Sequence, residues 1–364
     1  MNDIENINGE EEKVEARTQW QLIRTQFKKH KLAVAGLFVL IILYIVTVIF
    51  PGFFAPYGKL ENFDNTNFSP KSLHFFDEEG DFNFRPFVYN YSKELNPETW
   101  ETVYKPNKDK KFPLYFLVHG TEYKLMGLFE TDIHLFGVED PGKLFLFGTD
   151  DLGRDLFSRI IYAGRISLSI ALVGVFISMI LGLLFGGISG LVGGVVDEAI
   201  QRFIEMLMSI PKIPLWMALA AAVPQDWSAL KVYFAILLIL SSMSWTGLAR
   251  VVRSKFLSLR EEDFVLAARS YNASQGLIIS KHLIPNFISY VIVRMTLTIP
   301  AMILAETSLS FLGIGLRPPI VSLGVLLERA QNFQTVSMYP WLLIPGIFVV
   351  IAILAFNFVG DGLR

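Results

Sequence analysis

Residue types that could carry out catalysis or bind a metal are sparse in this chain. The sequence has no cysteine, which excludes disulfides, thiolate metal sites and a cysteine nucleophile. Its five histidines are scattered, and none forms a pair at helical spacing. Neither a G-x-x-x-x-G-K-[ST] phosphate loop nor a G-x-S-x-G nucleophile turn occurs. We therefore predict that the chain is not an enzyme and has no catalytic residue, cofactor site or metal site of its own.

Three acids lie close together at Asp150, Asp151 and Asp155. One interpretation is a cation site, but a hard cation requires more converging oxygens than this stretch offers. The favoured interpretation is structural: the acids cap a following helix and pair with Arg154 and Arg159. That helix has an apolar and a polar face, which predicts that it lies along a membrane interface. The apolar face comprises Leu156, Phe157, Ile160 and Ile161.

Four ionisable residues within or beside apolar runs are candidates for a transport path or for intramembrane pairs: Arg202, Glu205, Arg294 and Glu306. Arg202 and Glu205 are three positions apart, so they can pair on one helical face. Arg294 lies about 12 Å along a helix from Asn286, at about 1.5 Å per residue. It either extends to the cytoplasmic interface, lines a path, or pairs with Glu205.

Composition indicates an all-α polytopic membrane protein. The chain is 52% hydrophobic with a mean hydropathy of +0.44, and several uncharged runs reach the ~20 residues that cross a bilayer. Net charge is −2, which gives no support for nucleic-acid binding. Pro211 and Pro214 predict a kink in the third span. Six spans are predicted, at 32–50, 166–190, 200–223, 232–250, 283–305 and 340–360. Glycines that allow close helix packing are Gly182, Gly186, Gly187 and Gly190.

The distribution of basic residues predicts the orientation of these spans. Residues 1–31 form a tail whose basic end abuts the first span, which is typical of a cytoplasmic flank. Four spans later, the polar loop 253–285 is also rich in Lys and Arg. An even number of crossings places both on the same side, so we expect cytoplasmic termini and a retained first span.

Residues 51–147 are predicted to form a small β-rich external domain, because they carry many Asn, Asp, Lys and aromatic residues and no run that could span. Phe112–Val118 and Glu122–Leu128 predict a hairpin that turns at His119–Thr121, and Lys143–Phe147 predicts a further strand. The domain either contacts a binding protein or partner subunit, or only braces the outer surface. Residues 148–364 then form the main transmembrane domain.

The polar stretch Arg253–Asn286 separates two apolar runs and predicts two short helices. The first extends from about Glu262 to Ser270, and Asn272 ends it because Asn tolerates a positive φ. A helix this short is marginal alone and requires a surface to lie on. We therefore predict a docking helix on the cytoplasmic face.

The residues of this loop resemble the "EAA" coupling loop of ABC importer permeases, and most closely the C-type permease of the dipeptide/oligopeptide/nickel branch. That loop has the pattern E-A-A-R-x-x-G-A-S, then I-I, then H-x-x-P-N. Leu266 stands where the family has Glu, and Asn272 where it has Gly. The corresponding residues are Glu262, Asp263, Leu266, Ala267, Ala268, Arg269, Asn272, Ala273, Ser274, His282 and Pro285.

Three other segments extend the resemblance in family order. They are the G-T-D-x-x-G-R-D segment from Gly148, the A-E-x-S-L-S-F-L-G segment from Ala305, and the terminal A-F-N-x-x-G-D-G-L-R from Ala355. Leu323 departs from the Trp that usually precedes Gly324. The resemblance does not cover 53–147.

This resemblance implies a type I ABC importer permease fold in a bacterial or archaeal cytoplasmic membrane. It implies half of a pore for oligopeptides or dipeptides, formed with a B-type permease. Two ABC ATPases holding ATP and Mg²⁺ and an external substrate-binding protein would complete the importer. Alternatives are oligosaccharide or nickel-chelate cargo in the same architecture, a secondary transporter or channel, and an external receptor without a transport role.

Overall fold

Long apolar helices make up most of the computed structural model, which describes residues 19–77, 79–95, 97, 102–259, 261–278 and 284–364. The helices are α1 Gln19–Lys29, α2 Lys31–Leu43, α3 Pro51–Phe54, α4 Leu156–Val192, α5 Gly194–Ser209, α6 Lys212–Ala221, α7 Ala229–Leu259, α8 Asp263–Ser270, α9 Gln275–Leu277, α10 Ile284–Phe311, α11 Leu323–Glu328, α12 Phe333–Met338 and α13 Ile344–Leu363. A π-helical segment, Tyr44–Ile49, continues α2, and short 3₁₀ turns at Arg329–Gln331 and Pro340–Leu343 flank α12.

The described residues contain five helices that are long and apolar enough to cross a membrane. A sixth span results if the bent pair α5 and α6 is counted as one. The predicted all-α polytopic fold with a small β-rich region is therefore confirmed. The five are Lys31–Ile49, Leu156–Val192, Ala229–Leu259, Phe287–Phe311 and Pro340–Leu363.

The third predicted span is not one kinked helix. It consists of α5 and α6, whose axes meet at 84°. Ile210 between them is extended, with φ −90° and ψ 129°. Pro211 explains this break, because a proline disfavours the helical conformation of the residue before it.

The segment predicted as a separate interfacial helix is instead the start of α4, and that prediction was wrong. α4 has 37 residues. At about 1.5 Å per residue it exceeds the ~30 Å hydrocarbon core by several turns. Its first turns are covered on both the apolar and the polar face, since Ile160 and Arg159 are both buried. The loop that carries Asp150 covers the polar side.

α4 and α7 pack closely because four glycines on α4 face α7. A Cβ on Gly186 would lie 2.5 Å from the Ala249 carbonyl oxygen and 2.7 Å from the Val252 Cβ. A Cβ on Gly190 would lie 2.7 Å from the Phe256 Cβ. Gly182 and Gly187 face α7 in the same way. The predicted use of these glycines for close helix packing is confirmed.

The region predicted as an external domain, residues 51–147, contains a four-stranded antiparallel sheet in the order β1-β2-β3-β4. The strands are β1 His74–Phe76, β2 Phe82–Leu95, β3 Thr102–Leu125 and β4 Phe129–Val138. Val88, Leu114 and Leu144 form the centre of its apolar core.

Two predictions about this sheet were wrong. His119–Thr121 form no turn: they lie inside β3, where the register with β4 shifts. The hairpin turns at Met126 and Gly127, whose φ values of 52° and 76° suit a tight turn. Lys143–Phe147 forms no strand, although Leu144 and Phe145 are buried. Its apolar side chains fill the core from an irregular segment.

Gly186→Ala is expected to destabilise the protein, because the new methyl group would overpack the contact with α7 at a cost of about 1–3 kcal/mol. The matched control is Gly247→Ala, a helical glycine whose Cβ would meet nothing within 4 Å. It is expected to be neutral or stabilising by up to about 1 kcal/mol. Thermal unfolding of the two purified variants in one detergent measures the difference. Equal melting temperatures would contradict the proposed packing constraint.

Candidate functional site

The loop between α7 and α10 has an inner face that is part of a buried apolar cluster. Val265 of α8 and Ile278, just after α9, are 0% and 1% exposed. They pack in one cluster with residues from the ends of α4, α7 and α10: Leu191, Val252, Phe256, Phe287 and Val291. The loop is therefore anchored to three long helices at once.

The outer face of α8 is open to the surroundings. Leu266 is 47% exposed and Tyr271, just after the helix, is 87% exposed. The structure separates the two alanines of the motif: Ala267 is exposed, whereas Ala268 packs against the buried cluster. Of the two alanines, only Ala267 therefore lies on the exposed face of α8. Exposed neighbours of these residues are Glu262, Asp263, Ser270, Asn272 and Ser274.

Asn272 has a φ of 54°, and α8 ends at Ser270. The prediction that Asn272 supplies the positive φ of a helix stop is confirmed. Ala273 packs inward against the buried cluster. The loop therefore turns directly after α8 and returns to the core. Of the remaining motif residues, His282 lies outside the described residues, and nothing is described of the side chains of Arg269 and Pro285.

An ion pair links α5 to α7 beside this loop. Asp197 accepts hydrogen bonds from Arg253 Nε at 2.5 Å and from its Nη2 at 2.6 Å. It also accepts one from the Ser189 hydroxyl of α4. Arg202 does pair with Glu205 at 3.2 Å, as predicted, but in an exposed position that contributes at most about 1 kcal/mol.

A cavity of about 860 Å³ lies among α4, α6, α7 and α10. Its lining is largely apolar, and its charged residues are Arg294 and Lys212. Glu205, Arg202 and Glu306 are not part of the lining. Of the four candidate residues, only Arg294 therefore lines this cavity. The alternative in which Arg294 pairs with Glu205 is not observed, since Glu205 pairs with Arg202.

Glu306 has a different environment from the one expected of a path residue, because it is 0% exposed. Its carboxylate accepts hydrogen bonds from the Ser167 hydroxyl at 2.8 Å and the Ser310 hydroxyl at 2.9 Å. Ser167 in turn accepts from the Leu323 backbone N–H at 3.1 Å, and Ser310 from that of Leu316 at 3.0 Å. Glu306 thus joins α4, α10 and the chain that enters α11.

Two of the three acids before α4 behave as the structural interpretation predicted, whereas Asp151 pairs with Arg329 at 3.0 Å instead of with Arg154 or Arg159. Asp150 pairs with Arg154 at 2.7 Å and with Arg159. Asp155 caps α4 by accepting from the Ser158 backbone N–H at 2.7 Å. Burial raises the pKa of Asp155 to about 7. Among the described residues no group of three or more metal-ligating side chains converges.

Residues 182–364 match the family described as binding-protein-dependent transport system inner membrane component. The matched region includes the loop, α5 to α13 and Glu306. The chain belongs to this family of transport permeases. Residues 18–70 also match the N-terminal transmembrane domain of oligopeptide transport permease C. The resemblance inferred from the sequence motifs is confirmed, and with it the fold of a type I ABC importer permease.

Curated relatives agree with this assignment. The permease is 33% identical over 341 residues to the dipeptide transport system permease protein DppC of Lactococcus lactis, covering 93% of this chain and 87% of the relative. It is 36% identical over 225 residues to the oligopeptide transport system permease protein OppC of Bacillus subtilis, covering 62% and 71%. Among solved structures, the MetNI methionine ABC transporter in inward-facing conformations matches with a TM-score of 0.43 at 17% identity, covering 57% of this chain and 98% of that chain.

The comparison with the Lactococcus relative corrects one expectation about the external domain. The alignment with this relative covers 93% of the permease. The part of the chain that lies outside the alignment is therefore much shorter than residues 53–147. Similarity to that relative therefore extends into the external domain, which the motif resemblance alone did not reach.

Ser167→Ala is expected to lower the stability of the permease by about 1–3 kcal/mol, the usual cost of leaving buried polar groups without a partner. The substitution removes a donor to Glu306 and an acceptor for the Leu323 N–H. Ser209→Ala is the control, because that hydroxyl is exposed and donates only to the local Met206 carbonyl. It is expected to change stability by less than about 0.5 kcal/mol. Thermal unfolding tests this predicted loss of stability. The same melting temperature for both variants would contradict a stabilising role for the hydrogen bonds around Glu306.

Proposed function

We propose that this permease forms half of the translocation pore of an ATP-driven importer for oligopeptides or dipeptides. Family membership and the relatives named as dipeptide and oligopeptide permeases support the transport class and this cargo. The observation that carries the coupling role is the two-sided loop: Val265 is buried in the core while Leu266 and Ala267 face outward.

The proposed assembly has three kinds of protein partner. A B-type permease supplies the other half of the pore, and an extracytoplasmic binding protein delivers the cargo. Two ABC ATPase subunits bind and hydrolyse ATP with Mg²⁺, so this chain is a non-enzymatic transport subunit. Both termini and the loop between α7 and α10 lie on the cytoplasmic side of a bacterial or archaeal membrane.

The geometry of the loop supports a lever mechanism. A conformational equilibrium shifts only if a partner contacts the two states differently. The ATPase would contact the outer face of α8, which moves between the two states of the ATPase dimer. Because Val265 and Ile278 pack against the ends of α4, α7 and α10, displacement of α8 moves these ends together. This opens and closes the cytoplasmic side of the pore by alternating access.

Leu266 gives this coupling surface an apolar character where the family has a carboxylate. Its exposed side chain lies on the same side of the loop as Ala267 and Tyr271. Exposed carboxylates nearby, Glu262 and Asp263, remain available to basic partner residues. We infer a contact in which burial of Leu266 and Tyr271 contributes the affinity and the flanking acids contribute orientation.

Ala267→Arg is expected to reduce ATP-driven uptake about tenfold or more, since a loss of ~1.4 kcal/mol at a contact lowers affinity tenfold. The substitution leaves the inner face of α8 intact because Ala267 projects outward. Ala267→Ser, which stays small, is the matched control and is expected to retain uptake. Co-purification with the ATPase subunits measures attachment, and uptake into proteoliposomes measures transport. Normal attachment and uptake in Ala267→Arg would refute the proposed lever.

Arg294 is proposed to line the path that the cargo follows. Its side chain is exposed toward the apolar cavity, where a cation would attract a peptide carboxylate. Arg294→Gln is expected to reduce uptake of peptides with a free carboxyl terminus, and Arg294→Lys to retain part of it. Arg202→Gln, outside the cavity lining, is the control. Wild-type uptake rates in Arg294→Gln would contradict this role.

A further inference from the structure

The turn of the β3–β4 hairpin exposes three large apolar side chains. Met126, Leu128 and Phe129 are 59%, 77% and 67% exposed. Tight turns usually carry Gly, Asn, Asp or Ser, and among these turn residues only Gly127 fits that preference. We define Met126–Phe129 as the apolar turn. Adjacent apolar side chains exposed in this way mark a surface that contacts another apolar phase.

The part of this hairpin next to the apolar turn rests against the end of the first span. Gly52 follows that span in α3, and the Tyr123 ring occupies the space where a Cβ on Gly52 would be. His134 Nδ1 lies 2.8 Å from the Gly52 carbonyl oxygen. Tyr123 also donates to the Ile133 carbonyl at 2.7 Å, which holds β3 and β4 together at this level. The hairpin is thus fixed beside the membrane boundary.

Contacts with α4 give the direction in which the hairpin points. Phe136 of β4 packs against Phe157 in the first turn of α4, with ring centroids 5.8 Å apart. Tyr123, nearer the apolar turn, contacts Gly52. In sequence Gly52 lies between Thr47, which packs against Gly164 of α4, and Tyr57, whose backbone N–H donates to the Ser158 hydroxyl at 3.1 Å, so Tyr123 stands beside a part of α4 further along the helix than Phe157. Passing from Phe136 to Tyr123 therefore descends along α4 toward the bilayer.

The apolar turn continues this descent beyond Tyr123. Three more residues of strand extend about 10 Å. Along α4 the same direction leads to the exposed Arg165, after which the uncharged part of the span begins. The apolar turn therefore extends toward the level of Arg165, where the charged residues of α4 end.

We propose that the apolar turn inserts into the outer lipid interface and anchors the external domain to the bilayer beside the first span. Lys124 and Glu130, which pair at 3.4 Å, flank the turn and suit an amphipathic insertion with charges at the headgroups. The adjoining span also exposes apolar side chains such as Ile42 and Ile45, so the lipid-facing surface continues from the span to the turn. This inference does not depend on the cargo.

The absence of cysteine allows a direct test, because one introduced thiol carries one label. Leu128→Cys is labelled with an environment-sensitive fluorophore in the full-length permease in lipid nanodiscs. Val103→Cys, at the opposite end of β3 and 40% exposed, is the control. We expect headgroup-level and shallow doxyl-lipid quenchers to quench the label at position 128, with a blue-shifted emission, and to leave the label at position 103 unchanged.

Equal quenching at the two positions would overturn the proposal. A blue shift at position 128 that appears only when a purified binding protein or partner permease is added would overturn it too, because the apolar turn would then be a protein contact. If Leu128→Cys fails to fold, Phe129→Cys serves as the second labelling site, with the same expected and contrary results.

Discussion

The close contact of α4 with α7 is the constraint on which the rest of the permease depends. Glycines, not interlocking side chains, bring the two backbones together: Gly186 lies directly against the Ala249 carbonyl. In lipid, helices gain no hydrophobic free energy from associating, so such close approach and the dispersion it allows replace the hydrophobic effect. This contact fixes α7, and α7 fixes Phe256 in the cluster that supports the loop between α7 and α10.

The outer half of α4 is held by polar contacts. Ser167 reaches Glu306 in the protein interior, where each hydrogen bond matters more because water cannot replace it. The same hydroxyl orients the chain entering α11. α4 is thus joined to α7 by packing at its inner end and to α10 by a buried carboxylate at its outer end. In the proposed mechanism, a displacement of the loop would reach the opposite end of α4 through helices that are fixed to one another.

The sequence predicts features that depend on neighbouring residues and misses those that depend on distant ones. Hydropathy located the long spans, and local chemistry identified the Asn272 helix stop and the Asp155 cap. The environment of Glu306 was not predictable, because Ser167 lies 139 positions away. The pairing of Asp197 with Arg253 was missed for the same reason, since only tertiary packing brings α5 against α7. The hairpin turn was misplaced because a bulge in β3 resembled a turn in the sequence.

The break at Ile210 accounts for the position of the cavity. A continuous helix through residues 194–221 would run alongside α7 and cover the cavity. Instead, the 84° bend directs the axis of α6 away from the axis of α5. Pro211, Lys212 and Ile213 at the bend line the cavity, together with Gly247 of α7 and Arg294 of α10. The described part of the chain leaves this cavity open on one side, so in the proposed assembly the partner permease supplies the opposite wall. The bend, set by one proline, thus gives this chain's half of the proposed pore an apolar surface that carries two cations, Lys212 and Arg294.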